Sequence, residues 1–269
     1  MPALRRASHP NMMIPSVRAL RSKWNRVTAE HLFRRSIAIE LTKPVVSFTF
    51  DDFPHSAATA GAAILESYGA AATYYVSLGL AGVQEAAGLM FAREDVERIL
   101  ANGHELGCHT FHHLDAGDSE TEAFVDSVIA NQRRLQERFP KVRFRTFSYP
   151  KSAPHPGIKK RMGARFESCR GGGQTFNDGV ADLSMLKSYF LEQARGDYAS
   201  VARLIEENRQ RAGWLIFSTH DVDDSPSPYG CTPEFLDSAV KAARQSGAAI
   251  LPVSTALDQI VSLQNHSIA

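Results

Sequence analysis

Ionisable side chains concentrate in three short clusters. Asp51 and Asp52 are adjacent carboxylates directly after Ser47-Phe48-Thr49-Phe50. His109-Thr110-Phe111-His112-His113 places three imidazoles in five residues, and His220-Asp221 follows the apolar run Trp214-Leu215-Ile216-Phe217-Ser218-Thr219. Neighbouring side chains on a strand point to different faces, so one aspartate can ligate a metal ion while the other addresses a water beside it. The plainer role for such a pair is capping the helix that follows. Imidazoles four residues apart can meet on one face of a turn. Asp52 with two of them makes a three-ligand site with an open position for water, the composition of a catalytic rather than a structural zinc. Spacing leaves the pair open: His109 with His113 is the better fit, and His109 with His112 is sterically allowed. His220, at the mouth of an apolar strand, suits a general acid or base because its ordinary pKa lies near neutrality.

Each cluster sits just past the C-terminal end of a predicted strand. From Pro44 onward, runs of strand length and composition fall at Val45–Phe50, Ala72–Val76, His104–Cys108, Arg143–Ser148, Phe166–Cys169, Trp214–Thr219 and Ala249–Val253. Helical periodicity falls between them at Ala57–Tyr68, Arg93–Ala101, Thr121–Phe139, Ile158–Met162, Ala199–Ala212 and Pro233–Gln245, with a last helix from near Ser254. This alternation predicts a parallel sheet closed into a barrel. In such a sheet the loops that build a site converge at the C-terminal strand ends.

In this order, Thr49-Phe50-Asp51-Asp52, Gly103-His104-Glu105-Leu106-Gly107 leading into His109-Thr110-Phe111-His112-His113, and Ser218-Thr219-His220-Asp221 resemble the motifs of the polysaccharide deacetylase family. This is the NodB homology domain, or carbohydrate esterase family 4, and the similarity runs from about Pro44 to Leu257. The resemblance implies an α/β fold, an incomplete (β/α) TIM-like barrel. It also implies a divalent metal, zinc before Co2+, Mn2+ or Ni2+, held by Asp52, His109 and His113. Asp51 would be the catalytic base and His220 the acid. The family's third motif usually reads Arg-Pro-Pro-Tyr-Gly, whereas the best match here is Ser148-Tyr149-Pro150-Lys151-Ser152. The oxyanion-binding backbone N–H then falls on Lys151, and Tyr149 and Pro150 are expected to line the substrate site. The missing arginine normally orients the base; Arg170 is the expected substitute, ahead of Arg145. The fourth motif, Asp-x-x-Asp-Trp, has no clean counterpart, since Asp178 and Asp182 have the wrong spacing and no tryptophan.

The 269 residues carry 30 Lys and Arg against 29 Asp and Glu, so a domain-wide basic field for nucleic acid is excluded. Cys108, Cys169 and Cys231 are too few and too scattered for a disulfide framework. The first forty residues differ, with eight Arg and Lys against Glu30 and Glu40. Residues 1–43 are therefore expected to be a basic N-terminal extension and 44–269 a single catalytic domain. No apolar run follows the basic residues as a secretory signal needs, so a cytoplasmic location is expected, with peripheral membrane contact through the extension and no obligate protein partner. The resulting expectation is a metal-dependent hydrolase that removes N-acetyl groups from a polysaccharide, an oligosaccharide or a lipid-linked glycan precursor. The competing readings are an amidohydrolase of a small cyclic imide or ureide, marked by a closed pocket, and a non-catalytic relative, marked by damage to the metal triad or base.

Overall fold

The computed structural model describes residues 17–268; Arg5 and Arg6 of the basic extension lie outside the described residues. The order of elements is α1 (Val17–His31), β1 (Ser36–Ile39), β2 (Val45–Asp52), a π-helical turn (Ala57–Gly61) running into α2 (Ala62–Ser67), β3 (Thr73–Val76), a hairpin of β4 (Gln84–Glu85) and β5 (Gly88–Leu89), α3 (Arg93–Ala101), β6 (Glu105–Cys108), α4 (Thr121–Arg138), β7 (Thr146–Ser148), α5 (Pro156–Arg165), β8 (Ser168–Arg170), β9 (Gly179–Asp182), β10 (Tyr189–Phe190), a 3-10 turn (Leu191–Ala194), α6 (Tyr198–Gln210), β11 (Trp214–Thr219), α7 (Pro233–Gln245), β12 (Ala249–Ile250) and α8 (Val253–Ile268).

The main sheet is wholly parallel in the order β10-β11-β2-β3-β6-β7-β8, with β12 also paired to β2. β2 and β11 stand side by side with every residue but Asp52 buried, as their unbroken apolar sequences require when both faces are covered. Between the sheet's two ends runs the segment 183–190. Leu186 pairs with Arg170 of β8 and Tyr189 with Phe217 of β11, so this irregular stretch bridges a gap that no full strand fills. The result is the expected incomplete β/α barrel.

Register positions the site. Thr219 lies opposite Phe50, which brings His220 level with Asp51. Asp52 pairs with Val76, Val76 with Cys108 and Cys108 with Phe147, so His109 and Ser148 stand together one step beyond that row. Arg170 pairs with Ser148 and joins them. Tyr75 fills the barrel interior beneath this row, and a Cβ at Gly107 would lie 2.4 Å from its ring, so only glycine fits there.

Several expected strands are shorter than their apolar runs. Arg143–Arg145 precede β7, with Arg145 turned outward onto Glu167 and Asp258, and the run Ala249–Val253 keeps only two strand residues before α8 begins. Helix α1, the antiparallel β1–β9 ribbon, β10 and the β4–β5 hairpin were not expected. Most of these strands are too short for alternation to register, and α1 is too basic to look like a packed element. It is packed nonetheless: the buried Lys159 Nζ of α5 donates to the Ala29 carbonyl of α1 and pairs with Asp182 of β9 at 2.6 Å. Removing one partner of a buried pair strands the other charge and costs about 3–5 kcal/mol. Lys159→Met should therefore lower the free energy of unfolding by that amount, read as a lower urea midpoint at unchanged slope. A loss below about 1 kcal/mol would show that α1 and β9 do not depend on this lysine.

Candidate active site

Two similar turns end β2 and follow β7. At the first, Phe53 N donates to the Asp51 carbonyl at 2.7 Å with Asp52 between them at φ 61°. At the second, Ser152 N donates to the Pro150 carbonyl at 2.7 Å with Lys151 between them at φ 63°. Such tight left-handed turns are strained for non-glycine residues, and each re-aims one residue out of the strand's regular alternation. After β6, Thr110 (φ 63°) and His113 (φ 51°) are also left-handed, and the Thr110 hydroxyl accepts from Leu114 N, curling the chain back on itself. Four non-glycine residues in this conformation around one site show that the fold over-determines it.

The curl brings His113 Nε2 to 3.1 Å and His109 Nε2 to 3.5 Å from the same oxygen, Asp52 Oδ1. Ligand atoms of all three residues lie within 4.8 Å of one another. His109 is buried, with Nδ1 held 2.9 Å from the Ser148 carbonyl. A carbonyl can only accept, so Nδ1 carries the proton and Nε2 presents its lone pair to Asp52. Burial is the main cause that lowers the His109 pKa, against the pull of Asp51 and Asp52. Burial, His109 and Lys151 push His113 down to about 4 in spite of Asp52. Among the described residues Asp52 Oδ1 is buried with no hydrogen-bond partner. Two neutral imidazole nitrogens and an orphaned carboxylate oxygen fit a divalent cation with a position left open. His112 is exposed and edge-on to Phe111, so the structure pairs His109 with His113.

Asp51 points to the other side. Arg170 donates to both its carboxylate oxygens and, at 2.5 Å, to the Ser148 hydroxyl, while the Ser218 hydroxyl donates to Asp51 at 3.3 Å. Burial alone would raise the carboxyl's pKa; the Arg170 guanidinium, then His109 and His220, outweigh it and hold the carboxyl well below the usual range. Arg170 is itself buried, its guanidinium 5.2 Å from the centre of the Tyr75 ring and 5.8 Å from that of Phe190. Arg145 is far from this contact, on the outer surface.

His220 lies with Nε2 3.9 Å from Asp52 Oδ2 and Nδ1 3.2 Å from the Tyr229 carbonyl. That carbonyl fixes the tautomer, a task the sequence left without a candidate. Asp178 is bound to Arg211 and Asp182 to Lys159, so neither reaches His220. The Lys151 N–H has no hydrogen-bond partner among the described residues, and its side chain is exposed. Tyr149 is buried, its hydroxyl donating to Ser184 O at 3.0 Å, and the buried Pro150 carbonyl accepts from Ala116 N and Ser152 N. Neither is a free platform, although Tyr149 lines the wall of an adjoining cavity. The three cysteines are buried and unpaired, with thiols pushed up to about 12 by burial.

Sequence reasoning missed Glu192, on the 3-10 turn after β10. Burial pushes its carboxyl up to about 7, against the charges of His220 and Arg170, and its Oε2 has no partner among the described residues. Its only signal is a carboxylate just after a two-residue strand, which no pattern picks out.

Residues 38–165 match the family model described as polysaccharide deacetylase. No curated protein matches the sequence. Among solved structures, the chain is similar to a family 4 acetyl xylan esterase from Clostridium thermocellum in complex with cobalt, at 22% identity and a TM-score of 0.55 over 80% of this chain and 91% of that one. It is similar to a peptidoglycan deacetylase from Bacillus subtilis at 17% identity and a TM-score of 0.56, over 84% and 95% of the two chains. It is also similar to a mutant of a CE4 family pseudoenzyme at 14% identity and a TM-score of 0.54, over 81% and 68%. At these identities the likeness is one of fold.

Two measurements check the site. A divalent ion at a hundred times its Kd should raise wild-type stability by about 2.7 kcal/mol, an effect lost in His113→Ala and kept in His112→Ala; equal shifts in both variants would remove His113 from the ligand set. Glu192 has a folded pKa above its unfolded one, so its contribution is present below about pH 4.5 and fades as pH rises through about 7. Wild type should lose about 1–3 kcal/mol over that window relative to Glu192→Gln, and parallel curves would place the carboxyl in solvent. Residues 38–165 resemble the polysaccharide deacetylase family in sequence, and over 80% of its length the chain shares the fold of a family 4 acetyl xylan esterase.

Proposed function

We propose that the chain is a metal-dependent hydrolase that removes N-acetyl groups from an amino-sugar polysaccharide, oligosaccharide or lipid-linked glycan precursor. One observation carries this reading. An orphaned carboxylate and two imidazole lone pairs converge beside an arginine-clamped carboxylate and a third imidazole. Asp52, His109 and His113 would hold the ion, zinc before Co2+, Mn2+ or Ni2+ on the chemistry of the donors. When bound, the ion supplies a Lewis acid and makes water acidic enough to give up a proton near neutral pH.

The chain's own groups do the rest. Asp51, kept ionised and fixed by Arg170, accepts the proton of the attacking water. A carboxylate held so low is a weak base, suited only to water far more acidic than bulk. The unpartnered N–H of Lys151 is available to the oxyanion, and a backbone donor does not depend on the side chain there. The amide nitrogen leaves only with a proton, which His220 Nε2, turned toward the site by the Tyr229 carbonyl, can deliver. The charge of His220 acts on the buried Glu192 carboxyl and opposes the upward push of burial.

All five side chains of the triad, base and acid are present, which favours an active enzyme over a non-catalytic relative. In this reading residues 44–269 are the catalytic barrel and 1–43 a basic extension fastened to it by Lys159. The enzyme works in the cytoplasm, its extension available to an anionic membrane surface, without nucleic acid or an obligate protein partner. Among the described residues no helix is long and apolar enough to cross a membrane. Acetate release from N-acetylated oligosaccharides should require added divalent ion, and Asp51→Asn and His220→Ala should each lower kcat by about 100-fold or more. Full activity in either folded variant would reverse the assignment of base and acid.

A further inference from the structure

Beside the reaction centre, a cavity of about 660 Å3 lies among α1, β9, the glycine turn after β8 and the segment 183–190. Its volume is that of a small-molecule site. Arg26, Arg34, Lys151 and Lys187 line it, and none has a carboxylate partner among the described residues. The acidic groups of the same wall are already committed. Asp178 is bound to Arg211 at 2.8 Å and Asp182 to Lys159 at 2.6 Å, which leaves Glu30 as the one carboxylate against four cations. Arg170 forms the deep wall; its charge is taken by Asp51, but its buried Nε–H has no acceptor. The N–H groups of Gly172 and Gly173 on the same wall are likewise without hydrogen-bond partners among the described residues.

Resting on the deacetylase reading, we propose that this cavity is a subsite for a phosphoryl group carried by the amino-sugar substrate. A single carboxylate would leave most of the surrounding charge uncompensated. A phosphoryl group brings up to two negative charges and several acceptor oxygens, which guanidinium groups bind in a fork and lysines as point charges. The cavity shares Lys151 and Arg170 with the reaction centre, so a phosphoryl group in it and an acetamide in the site belong to one small molecule or one chain end. The substrate class is therefore an N-acetylated sugar phosphate or phosphodiester, ahead of an uncharged polymer.

The test compares acetate release from N-acetylglucosamine 1-phosphate, from an alkyl phosphodiester of the same sugar in neutral micelles, and from an uncharged N-acetylglucosamine oligomer. In parallel, inorganic pyrophosphate is titrated into the metal-loaded protein by calorimetry. At low salt, one or both phosphorylated substrates should exceed the neutral one in kcat/KM by at least about tenfold. Arg34→Ala/Lys187→Ala should erase that advantage through KM rather than kcat and weaken pyrophosphate binding by a similar factor. A preference for the monoester marks a free sugar phosphate as the source, and one for the diester a lipid- or nucleotide-linked sugar. Equal kcat/KM for all three substrates overturns the subsite and leaves the deacetylase reading intact. Acetate release from none overturns the deacetylase reading, and pyrophosphate then decides alone: binding that the double variant abolishes supports the subsite, and binding that is absent or unchanged overturns it.

Discussion

The site is organised around one carboxylate oxygen that nothing among the described residues satisfies. Among the described residues Asp52 Oδ1 is buried without a hydrogen-bond partner, and beside it stand the Nε2 atoms of His109, whose proton is held on Nδ1 by the Ser148 carbonyl, and of His113. Three such atoms within 4.8 Å, away from bulk water, repel one another unless a positive charge sits among them. The surrounding structure holds them there at a cost. Asp52 and His113 occupy left-handed backbone that disfavours their side chains, by about 1–3 kcal/mol each. A chain does not keep strained residues aimed at an unmet charge for packing alone, because each could relax by rotating into solvent at the barrel rim. The arrangement holds because the parallel ladders beneath it fix the ends of β2 and β6 relative to each other.

The same ladders explain how a missing arginine is replaced. The family's third motif places it before the prolines, on the segment that here reads Ser148-Tyr149-Pro150. Ser148 instead faces Arg170, its partner in the neighbouring strand, and the guanidinium reaches past the serine to Asp51. A buried cation beside Asp51 can come from either of two neighbouring strands, because adjacent parallel strands present residues at the same level of the barrel. Arg170 serves because Tyr75 and Phe190 flank its plane and Ser188 accepts one of its protons, which leaves no freedom for the guanidinium to swing away.

How much was legible follows from the same physics. β2 and β11 are long and buried on both faces, so their composition could be read directly and β11's bounds with it, although β2 runs two residues further than expected and carries Asp51 and Asp52 as its last residues. The helical repeat of α4 and α7 was equally plain. By contrast, β7, β8 and β10 have three, three and two residues, too few for any periodicity. Their contribution comes from register, which is a property of pairs of strands. His112 and His113 are both within reach of His109 by spacing; the left-handed turn at Thr110 and His113 that separates them depends on the loop's packing, with Phe111 O bonded to Gly79 N. Tyr229 acts through its carbonyl, and a backbone group carries no mark in a sequence. Glu192 was hidden for a related reason: a lone glutamate becomes unusual only when burial strips it of water.

Several groups around the site that the sequence did not mark lie on one stretch, the segment that bridges the gap between β8 and β11. Lys187, Ser188, Phe190 and Glu192 all belong to it or follow it directly. Regular ladders fix backbone atoms in a repeating frame and suit the metal-binding and base-holding residues, whose geometry must be the same for any substrate. The bridging segment is held by fewer ladder bonds, and its exposed Lys187 points away from the contacts of buried Leu186 and Ser188 and half-buried Tyr189 that tie it to Arg170 and β11. The residues proposed to bind the metal and hold the base therefore sit on or beside the ladders, and Lys187, proposed for substrate recognition, sits on the bridge. Packing α1 against α5 brings Arg26 of the helix and Arg34 just after it to the same cavity wall as Lys187, the wall proposed to recognise the substrate.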